Sequence, residues 1–195
     1  VVIISPHGIV YKDAFSINLC DKYSVGFEEF GDFSIKTEYP ADHLMIERAQ
    51  RHLRDQKIAV TLDTCDKLDH GAAVPLYLLA KNWTDFKLVP IAYSGQSLKY
   101  HFEFGQGLKE VLAESNERVA VIASGDLSHS LTSDAPAGYN EFGKQFDDKI
   151  LELVANQNSA AMISINKKMT ESAPECVLRS LVPLSGILHG TALEA

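Results

Sequence analysis

Short apolar runs that end in polar, glycine-containing segments recur along the chain. In the clearest of them, the apolar run Val119–Ala123 leads directly into a polar segment that ends at His129. An unbroken apolar run of this length predicts a strand buried on both faces of a sheet. Ligands of α/β proteins bind outside the carboxyl ends of parallel strands, so the polar segment is a candidate functional loop.

Two further apolar runs follow the same pattern. Val1–Ser5 leads into His7, and Ile58–Leu62 is followed within one short loop by His70. Three of the seven histidines therefore come shortly after a predicted strand. Because the carboxyl ends of parallel strands share one edge of the sheet, we expect these three imidazoles to meet at one site.

Amphipathic segments separate the predicted strands along the whole chain. This alternation predicts one α/β domain over residues 1–195, with a mostly parallel central sheet, helices on both faces and the active site at the carboxyl ends of the strands. Phe15–Leu19 and Phe86–Ala92 are further predicted strands, and Pro90 favours an edge position because proline removes a ladder donor. The segment Cys20–Tyr39 favours an edge hairpin over a lid or a dimer contact.

The predicted helices fill the intervals between the strands. Their approximate bounds are 40–56, 72–81, 98–115, 140–155 and 175–188, with a short helix after 156–159. Proline fits the first turn of a helix, which places Pro40, Pro75 and Pro174 near helix starts. Gly105 and Gly107 are expected to interrupt the third helix. The buried face of the helix at 140–155 is predicted to hold Phe142, Phe146, Ile150, Leu151 and Val154.

Composition narrows the range of partners. The chain has 195 residues, of which 46% are hydrophobic, so it can bury a core of ordinary size. Its formal net charge of −8 and pI near 5.3 argue against nucleic acid or an anionic membrane as a partner, because both require a basic surface. A small organic or metal-bound substrate fits this charge better. No apolar run reaches the length of a membrane span, and no secretory signal pattern is present.

Cysteine usage indicates a reducing compartment. Cys20, Cys65 and Cys176 are odd in number and widely spaced, so they predict neither a disulfide framework nor a zinc knuckle. A cytoplasmic location follows as the expectation. The chain begins inside a predicted core strand, so we also expect residues of the same domain to precede Val1.

Histidines and acidic or thiol side chains that converge at strand ends predict a divalent-metal site. Histidine and carboxylate sets with open coordination positions suit non-haem Fe(II) in particular. The segment Ser124–Asp126 lacks the GxSxG pattern of a nucleophile elbow, and the chain has no D-x-H or G-N-H-E motif of a metallophosphatase. The remaining histidines lie on predicted helical or loop surface and are interpreted as structural: His43, His52, His101 and His189.

Four motifs in order resemble the class III extradiol ring-cleavage dioxygenases. They are SPHG at Ser5–Gly8, LDHGAAVPLYLL at Leu68–Leu79, ASGDLSHSLTSDAPAGY at Ala123–Tyr139 and ECVLRSLVPLSGIL at Glu175–Leu188. Within that superfamily the chain is most similar to the LigB-like domains related to Memo proteins, which are often encoded beside or fused to an AMMECR domain. The similarity extends over nearly the whole chain.

The resemblance implies a role for each matching residue. His7 would ligate the metal, and His129 would act as general base on a catechol hydroxyl and later as general acid. His70 would line the same pocket and orient substrate or O2 by hydrogen bonding. The last ligand is a glutamate in the ring-cleaving enzymes and a cysteine in the Memo branch. Glu175 and Cys176 are adjacent here, so both stay candidates.

Asp126 and Ser128 are interpreted as turn residues or as partners that hydrogen-bond to the ligands. The first ligand histidine of the superfamily lies upstream of SPHG and has no counterpart after Val1, and a closing strand is expected after Leu193. The domain at 1–195 is therefore expected to be truncated at both ends.

The resemblance implies an Fe(II)-dependent enzyme that cleaves a catechol-type ring with O2, so that a small aromatic diol and O2 are the expected partners. The alternative is a Memo-like protein that binds a metal or a partner without ring cleavage, and Cys176 favours it because a thiolate also suits Zn or Cu. A structural paralogue without metal is a third hypothesis. Apolar side chains in the segment 20–40 leave a homo-oligomer open.

Overall fold

The computed structural model describes residues 1–191. Two sheets are formed by the strands β1 Val2–Ser5, β2 Phe15–Asn18, β3 Lys22–Phe27, β4 Asp32–Pro40, β5 Val60–Asp63, β6 Val89–Ala92 and β7 Val121–Ala123. The helices are α1 His43–Asp55, α2 His70–Leu79, α3 Leu98–Ala113, α4 Glu141–Ala155, α5 Ser159–Ile163, α6 Lys167–Ser172 and α7 Leu178–Leu188. No helix within this described range has the length and apolar character that a membrane crossing requires.

The central sheet has the strand order β5-β2-β6-β1-β7 and is mostly parallel, as predicted. β1 pairs in parallel with β6 and with β7, and β2 pairs in parallel with β5. The pairing between β2 and β6 is antiparallel. As a result β2 and β5 run opposite to the other three strands, and the carboxyl end of β5 lies at the opposite edge of the sheet from that of β1.

The positions of two strands in the sheet, β7 and β6, differ from the predicted ones. β7 was predicted to be buried on both faces, but its residues are only partly buried because it pairs with β1 alone and ends the sheet in the described range. Pro90 lies in the internal strand β6 and not at an edge. The N–H group of Val89 donates to the carbonyl oxygen of Val1. Successive residues of a strand turn their backbone N–H groups to opposite sides, so the nitrogen of Pro90 faces β2. The residues of β6 that pair with β2 are only Ile91 and Ala92.

The segment 20–39 forms the predicted hairpin. β3 and β4 pair antiparallel as a separate two-stranded sheet, and a short 3-10 turn at Glu28–Phe30 connects them. An isolated bridge between Ser24 and Lys67 joins β3 to the loop that follows β5. This bridge places the hairpin tip near the beginning of α2.

The helices α1 and α2 begin at capping side chains, and neither they nor α7 begin at the predicted prolines. The carboxylates of Asp42 and Asp69 accept backbone N–H groups in the first turns of α1 and α2. Pro40 ends β4, Pro75 lies in the second turn of α2, and Pro174 precedes the start of α7 by four residues. The carboxylate of an aspartate cap accepts hydrogen bonds from free backbone N–H groups of the first turn. Proline accepts none and only lacks an N–H group of its own that would need an acceptor.

The buried face of α4 is rotated from the prediction. Leu151 and Val154 are 58% and 45% exposed, so the assignment of both to the core is wrong. The buried residues are Gly143, Phe146, Asp147, Ile150 and Leu153. Asp147 can be buried because its carboxylate accepts the backbone N–H of Ser128 at 2.8 Å.

The glycines of α3 do not interrupt it, contrary to the prediction. A Cβ atom on Gly105 would overlap the carbonyl oxygen of Pro183 in α7, and one on Gly186 would overlap the carbonyl oxygen of Phe102 in α3. Glycine at these two positions lets the backbones of α3 and α7 touch. The two helices therefore pack as a closely crossed pair.

Two hydrophobic clusters form the core of the described residues. One packs the central sheet against α1, α2 and α3, and the other joins α4, α5 and α7. The candidate site residues lie where the strands β1 and β7 lead into these helical layers. The strand expected after Leu193 falls outside the described residues.

Candidate functional site

The start of α2 is tied to the end of β1. The carboxylate of Asp69 accepts the hydroxyl of Ser5 and the backbone N–H of Ala72, which caps the helix. A Cβ atom on Gly71 would lie 2.6 Å from Oγ of Ser5, so glycine is needed at this close approach. These contacts make His70 the first residue of α2 and bring it against the loop after β1.

His7 and His70 stack on each other. Their ring centroids are 4.2 Å apart, and the ring planes are inclined by 29°. The pKa of His7 is lowered, first by its partial burial and second by the positive charge of a protonated His70. Asp69 and Asp126 oppose this shift only in part. His7 is therefore held as a neutral imidazole that can accept a hydrogen bond or ligate a metal.

The loop after β7 and the segment before α7 are joined by backbone hydrogen bonds. The N–H of Cys176 donates to the carbonyl of Asp126 at 3.1 Å, and the N–H of His129 donates to the carbonyl of Pro174 at 2.7 Å. Gly125 permits this contact, because a Cβ atom there would lie 2.5 Å from Cα of Val177. The two segments thus behave as one structural unit.

Asp126, His129 and Cys176 form a cluster of metal-type donors. One ligand atom from each lies within 4.8 Å of the others. Nε2 of His129 is 3.5 Å from the carboxylate of Asp126, and the N–H of Asp126 donates to Sγ of Cys176 at 3.0 Å. Ligands bound at 2.0–2.3 Å to one ion are separated by about 3–4.5 Å. The carboxylate, imidazole and thiol of this cluster therefore fit a single divalent metal.

The thiol of Cys176 is protonated in the absence of a metal. Partial burial raises its pKa, the nearby carboxylates of Asp126 and Glu175 add to the increase, and the N–H of Asp126 opposes it. Metal binding at this thiol must release a proton, because the thiolate is the ligand.

The carboxylate of Glu175 has a different structural role from the thiol of Cys176. Its carboxylate accepts the N–H of Leu178 at 2.8 Å and so caps α7, and burial raises its pKa. Of the two adjacent candidates for the last ligand, the thiol of Cys176 is the one that lies in the donor cluster. Arg179 in the first turn of α7 donates to the carbonyls of Ser94 and Gln96, which fixes the helix start to the loop after β6.

The structure brings the predicted histidines together only in part. His7 stacks on His70, and the charges of Asp126 and His129 are near enough to act on the pKa of His7. Within the described residues His7 is not a member of that cluster. We expected His7 and His70 to meet because their strands end at the same edge of the sheet, and this reason is wrong. The strand β5 ends at the opposite edge from β1, and the loop at 64–69 leads the chain back to His7.

The structure adds to one assignment made from the sequence and contradicts another. Asp126, interpreted as a turn residue or a hydrogen-bond partner, is also a member of the donor cluster. Its spacing of three residues from His129 was the available signal. His101, interpreted as a surface residue, is fully buried: its Nδ1 donates to the carbonyl of Ser97, its Nε2 accepts the N–H of Ser94, and burial lowers its pKa to about 4. Its structural role was predicted correctly.

A cavity of about 510 Å³ opens beside the two stacked rings. His7 and His70 line one part of it, and Asp63 of β5 lines another. The hairpin tip contributes Phe30, whose ring meets His70 edge-on with centroids 5.6 Å apart. The volume is that of a small-molecule pocket. A substrate bound there would lie against the neutral imidazole of His7.

The chain is similar to proteins of one known family. Residues 1–195 match the family model of the catalytic LigB subunit of aromatic ring-opening dioxygenase. The chain is 32% identical over 199 residues to Protein CA_C1420 of Clostridium acetobutylicum, an alignment that covers 97% of this chain and 42% of that protein. It is 29% identical over 97 residues to a MEMO1 family protein of Methanosarcina mazei, covering 49% of this chain and 34% of the relative. The chain thus spans less than half the length of either relative.

Proposed function

The chain belongs to the LigB family of catalytic subunits of aromatic ring-opening dioxygenases, and on this basis we propose that it is an Fe(II)-dependent extradiol dioxygenase acting on a catechol-type substrate. The observation that carries the proposal is the position of His7, which stacks on His70 and lines the cavity while the charges of Asp126 and His129 act on its pKa. We infer that a diol bound at His7 reaches both an acid–base group and a metal.

Cys176, Asp126 and His7 are the proposed metal ligands. A thiolate, a carboxylate and an imidazole leave coordination positions open for substrate, as non-haem Fe(II) sites do. When bound, the metal supplies a Lewis acid for the diol oxygens and an electron path between the diol and O2. The thiolate also makes Zn or Cu a suitable occupant.

His129 is proposed to accept the proton of a diol hydroxyl and to return it to the opened ring. Imidazole is suited to both steps near neutral pH. The carboxylate of Asp126, 3.5 Å from Nε2, stabilises the imidazolium that forms. His70 is proposed to orient the substrate or O2 by hydrogen bonding. In a second assignment His129 ligates the metal and His7 takes the proton.

The test loads the chain anaerobically with Fe(II), adds a panel of catechols and measures O2 uptake. His129→Ala should abolish uptake, and His43→Ala, which changes an exposed histidine outside the site, should leave it unchanged. Metal content of His129→Ala separates the two roles, because a general base can be removed without loss of Fe(II) whereas a ligand cannot. Absence of uptake by iron-loaded wild-type protein across the panel would contradict the proposal.

The second candidate function is that of a Memo-like protein which binds metal or a partner without ring cleavage. Cys176 favours it, because the thiol and not Glu175 lies in the donor cluster, and a thiolate suits Cu or Zn as well as Fe. Tight binding of Zn or Cu together with no O2 uptake in the iron-loaded chain would support this function over the first.

A further inference from the structure

The far wall of the cavity carries a buried carboxylate that has no cationic partner within residues 1–191. Asp63 is 8% exposed and lines the cavity. It accepts hydrogen bonds from the hydroxyl groups of Tyr11, at 2.7 Å, and Ser16. Across the described residues 1–191, no lysine, arginine or histidine nitrogen lies within 4.0 Å of its carboxylate. Neutral donors solvate this charge but do not neutralise it.

The other charged groups of the cavity wall do not compensate for Asp63. Lys67 lies 3.0 Å from the carboxylate of Glu29 and 3.8 Å from that of Glu28, so its charge is already balanced by the hairpin tip. Asp69 adds a further carboxylate to the wall. The cavity therefore has an acidic interior, which favours a cationic occupant and disfavours an anionic one.

The dimensions of the cavity indicate an occupant larger than a bare catechol. Asp63 lies on β5 and Ser5 on β1, and both line the cavity. Two strands separate β5 from β1, so three spacings of about 4.8 Å amount to about 14 Å. This distance joins the strand backbones, and the side chains that line the cavity shorten the span, so a diol ring alone contacts one wall and a ring with a short side chain contacts both. A ligand that reaches from His7 to Asp63 must carry a side chain.

We propose that this cavity binds an amine-bearing aromatic diol, with its ammonium group paired to Asp63 and its diol at His7 and His70. The placement of the diol rests on the proposed ring-cleavage function, whereas the amine site rests on the cavity alone. Phe30 supports an aromatic occupant, because its exposed ring stands at the cavity wall beside His70. A diol with a carboxylated side chain should be excluded, since two carboxylates would face each other in a partly buried site.

The test compares three catechols that differ only in the charge of the side chain. The probes are 4-(2-aminoethyl)catechol, uncharged 4-ethylcatechol and 3-(3,4-dihydroxyphenyl)propanoate, and binding to the whole chain is measured by calorimetry. The amine should bind at least tenfold more tightly than the carboxylate analogue, with the uncharged compound between them. Equal affinities for the three compounds, or a preference for the carboxylate, would overturn the proposal.

Asp63→Asn should remove the preference for the amine and leave the affinity for 4-ethylcatechol unchanged. Tyr11→Phe is the matched control, because it removes one neutral donor to Asp63 but keeps the charge. An amine preference that survives in a folded Asp63→Asn variant would contradict the assignment. If this variant does not fold, backbone amide shifts of Ser16 and Asn18 in the wild-type protein give a second measurement. They should move with 2-phenylethylamine, and absence of any shift would also overturn the proposal.

The same probes separate this proposal from the proposed function. Binding of 2-phenylethylamine, which has no diol, together with no O2 uptake on any catechol supports the amine site and contradicts ring cleavage. Uptake on 4-ethylcatechol without an amine preference that depends on Asp63 supports ring cleavage and contradicts the amine site.

Discussion

The imidazole of His70 stacks on that of His7 with ring centroids 4.2 Å apart. The contact depends on Asp69, which caps α2 and accepts the hydroxyl of Ser5 at the end of β1. A proton on either ring would place a positive charge against its neighbour. The contact therefore favours a neutral imidazole at His7, which lines the cavity.

The cap at Asp69 should stabilise both the fold and the histidine pair. Asp69→Ala removes the acceptor for Ala72 and for Ser5, so the free energy of unfolding should fall by about 1–2 kcal/mol. Asp69→Asn keeps an oxygen acceptor and should lose only a few tenths of that amount. Urea unfolding of both variants checks the difference, and equal losses would show that the capping bond is not the cause.

The stacked neighbour should contribute to the lowered pKa of His7. Burial is the larger cause of its lowered pKa, and the charge of His70 is the second. His70→Phe keeps an aromatic ring in the stack but removes the charge, so the pKa of His7 should rise towards its ordinary value. An NMR titration of the His7 ring in metal-free protein measures this shift. A fall in the pKa would mean that His70 acts on His7 chiefly through something other than its charge.

Removal of the thiol should weaken metal binding. Cys176→Ser replaces a thiolate by a hydroxyl, and we expect at least a tenfold loss of affinity for Fe(II) or Zn. Cys65→Ser is the control, because the thiol of Cys65 donates to the carbonyl of Lys67 and lies outside the donor cluster. Competition with a chelator of known affinity gives both values. Equal affinities for the two variants would place the metal elsewhere.

The existence of the strands and of the site loops could be predicted from the sequence, but their directions could not. The apolar runs before His7 and His129 mark β1 and β7. The local sequence does not show that β2 pairs antiparallel with β6, so that β5, which is parallel to β2, also runs opposite to β1. Strand direction is set by pairing partners that are distant in the sequence. His70 reaches His7 through the loop at 64–69, whose course depends on the hairpin β3–β4.

The burial of individual side chains was the second feature that the sequence did not predict correctly. Periodicity gives the spacing of a helix face but leaves its rotation uncertain by one residue, which moved Leu151 and Val154 to the surface of α4. His101 was expected on a surface, but its two ring nitrogens are satisfied by backbone groups near Ser97, which permits complete burial. A hydrophobic pattern does not predict hydrogen-bond partners that lie in loops or far away in the sequence.

Burial of His101 should make stability depend on pH. Its pKa is about 4 in the folded chain and about 6.5 when unfolded, so the unfolded chain binds the extra proton between these values. Stability should be unaffected by this group above pH 7 and should fall as the pH decreases from 6.5 to 4, with a loss of about 2 kcal/mol at pH 5. Urea unfolding at pH 8 and pH 5 measures the total change, and NMR titration of the His101 ring identifies its share. A titration midpoint above 6 would contradict the prediction.

Glycine should be required at Gly105, where α3 crosses α7, but not at Gly107, where α3 faces the end of α1. An added Cβ on Gly105 meets the backbone of Pro183, which cannot move alone, so Gly105→Ala should cost about 1–3 kcal/mol. On Gly107 it meets the side-chain ends of Gln56 and Leu53, which can shift. Gly107→Ala also gains helix propensity and should be close to neutral. Thermal unfolding of the two variants tests the contrast.

The crossing of α3 and α7 has a consequence for how the donor cluster could be altered in the laboratory. α7 begins two residues after Cys176, and Gly186 holds that helix against α3. A substitution that forces the helices apart would carry the sulfur away from Asp126 without changing any residue that meets a substrate. Directed evolution of metal preference could therefore act through this remote contact, by sub-ångström adjustment of one donor while the imidazoles stay in place.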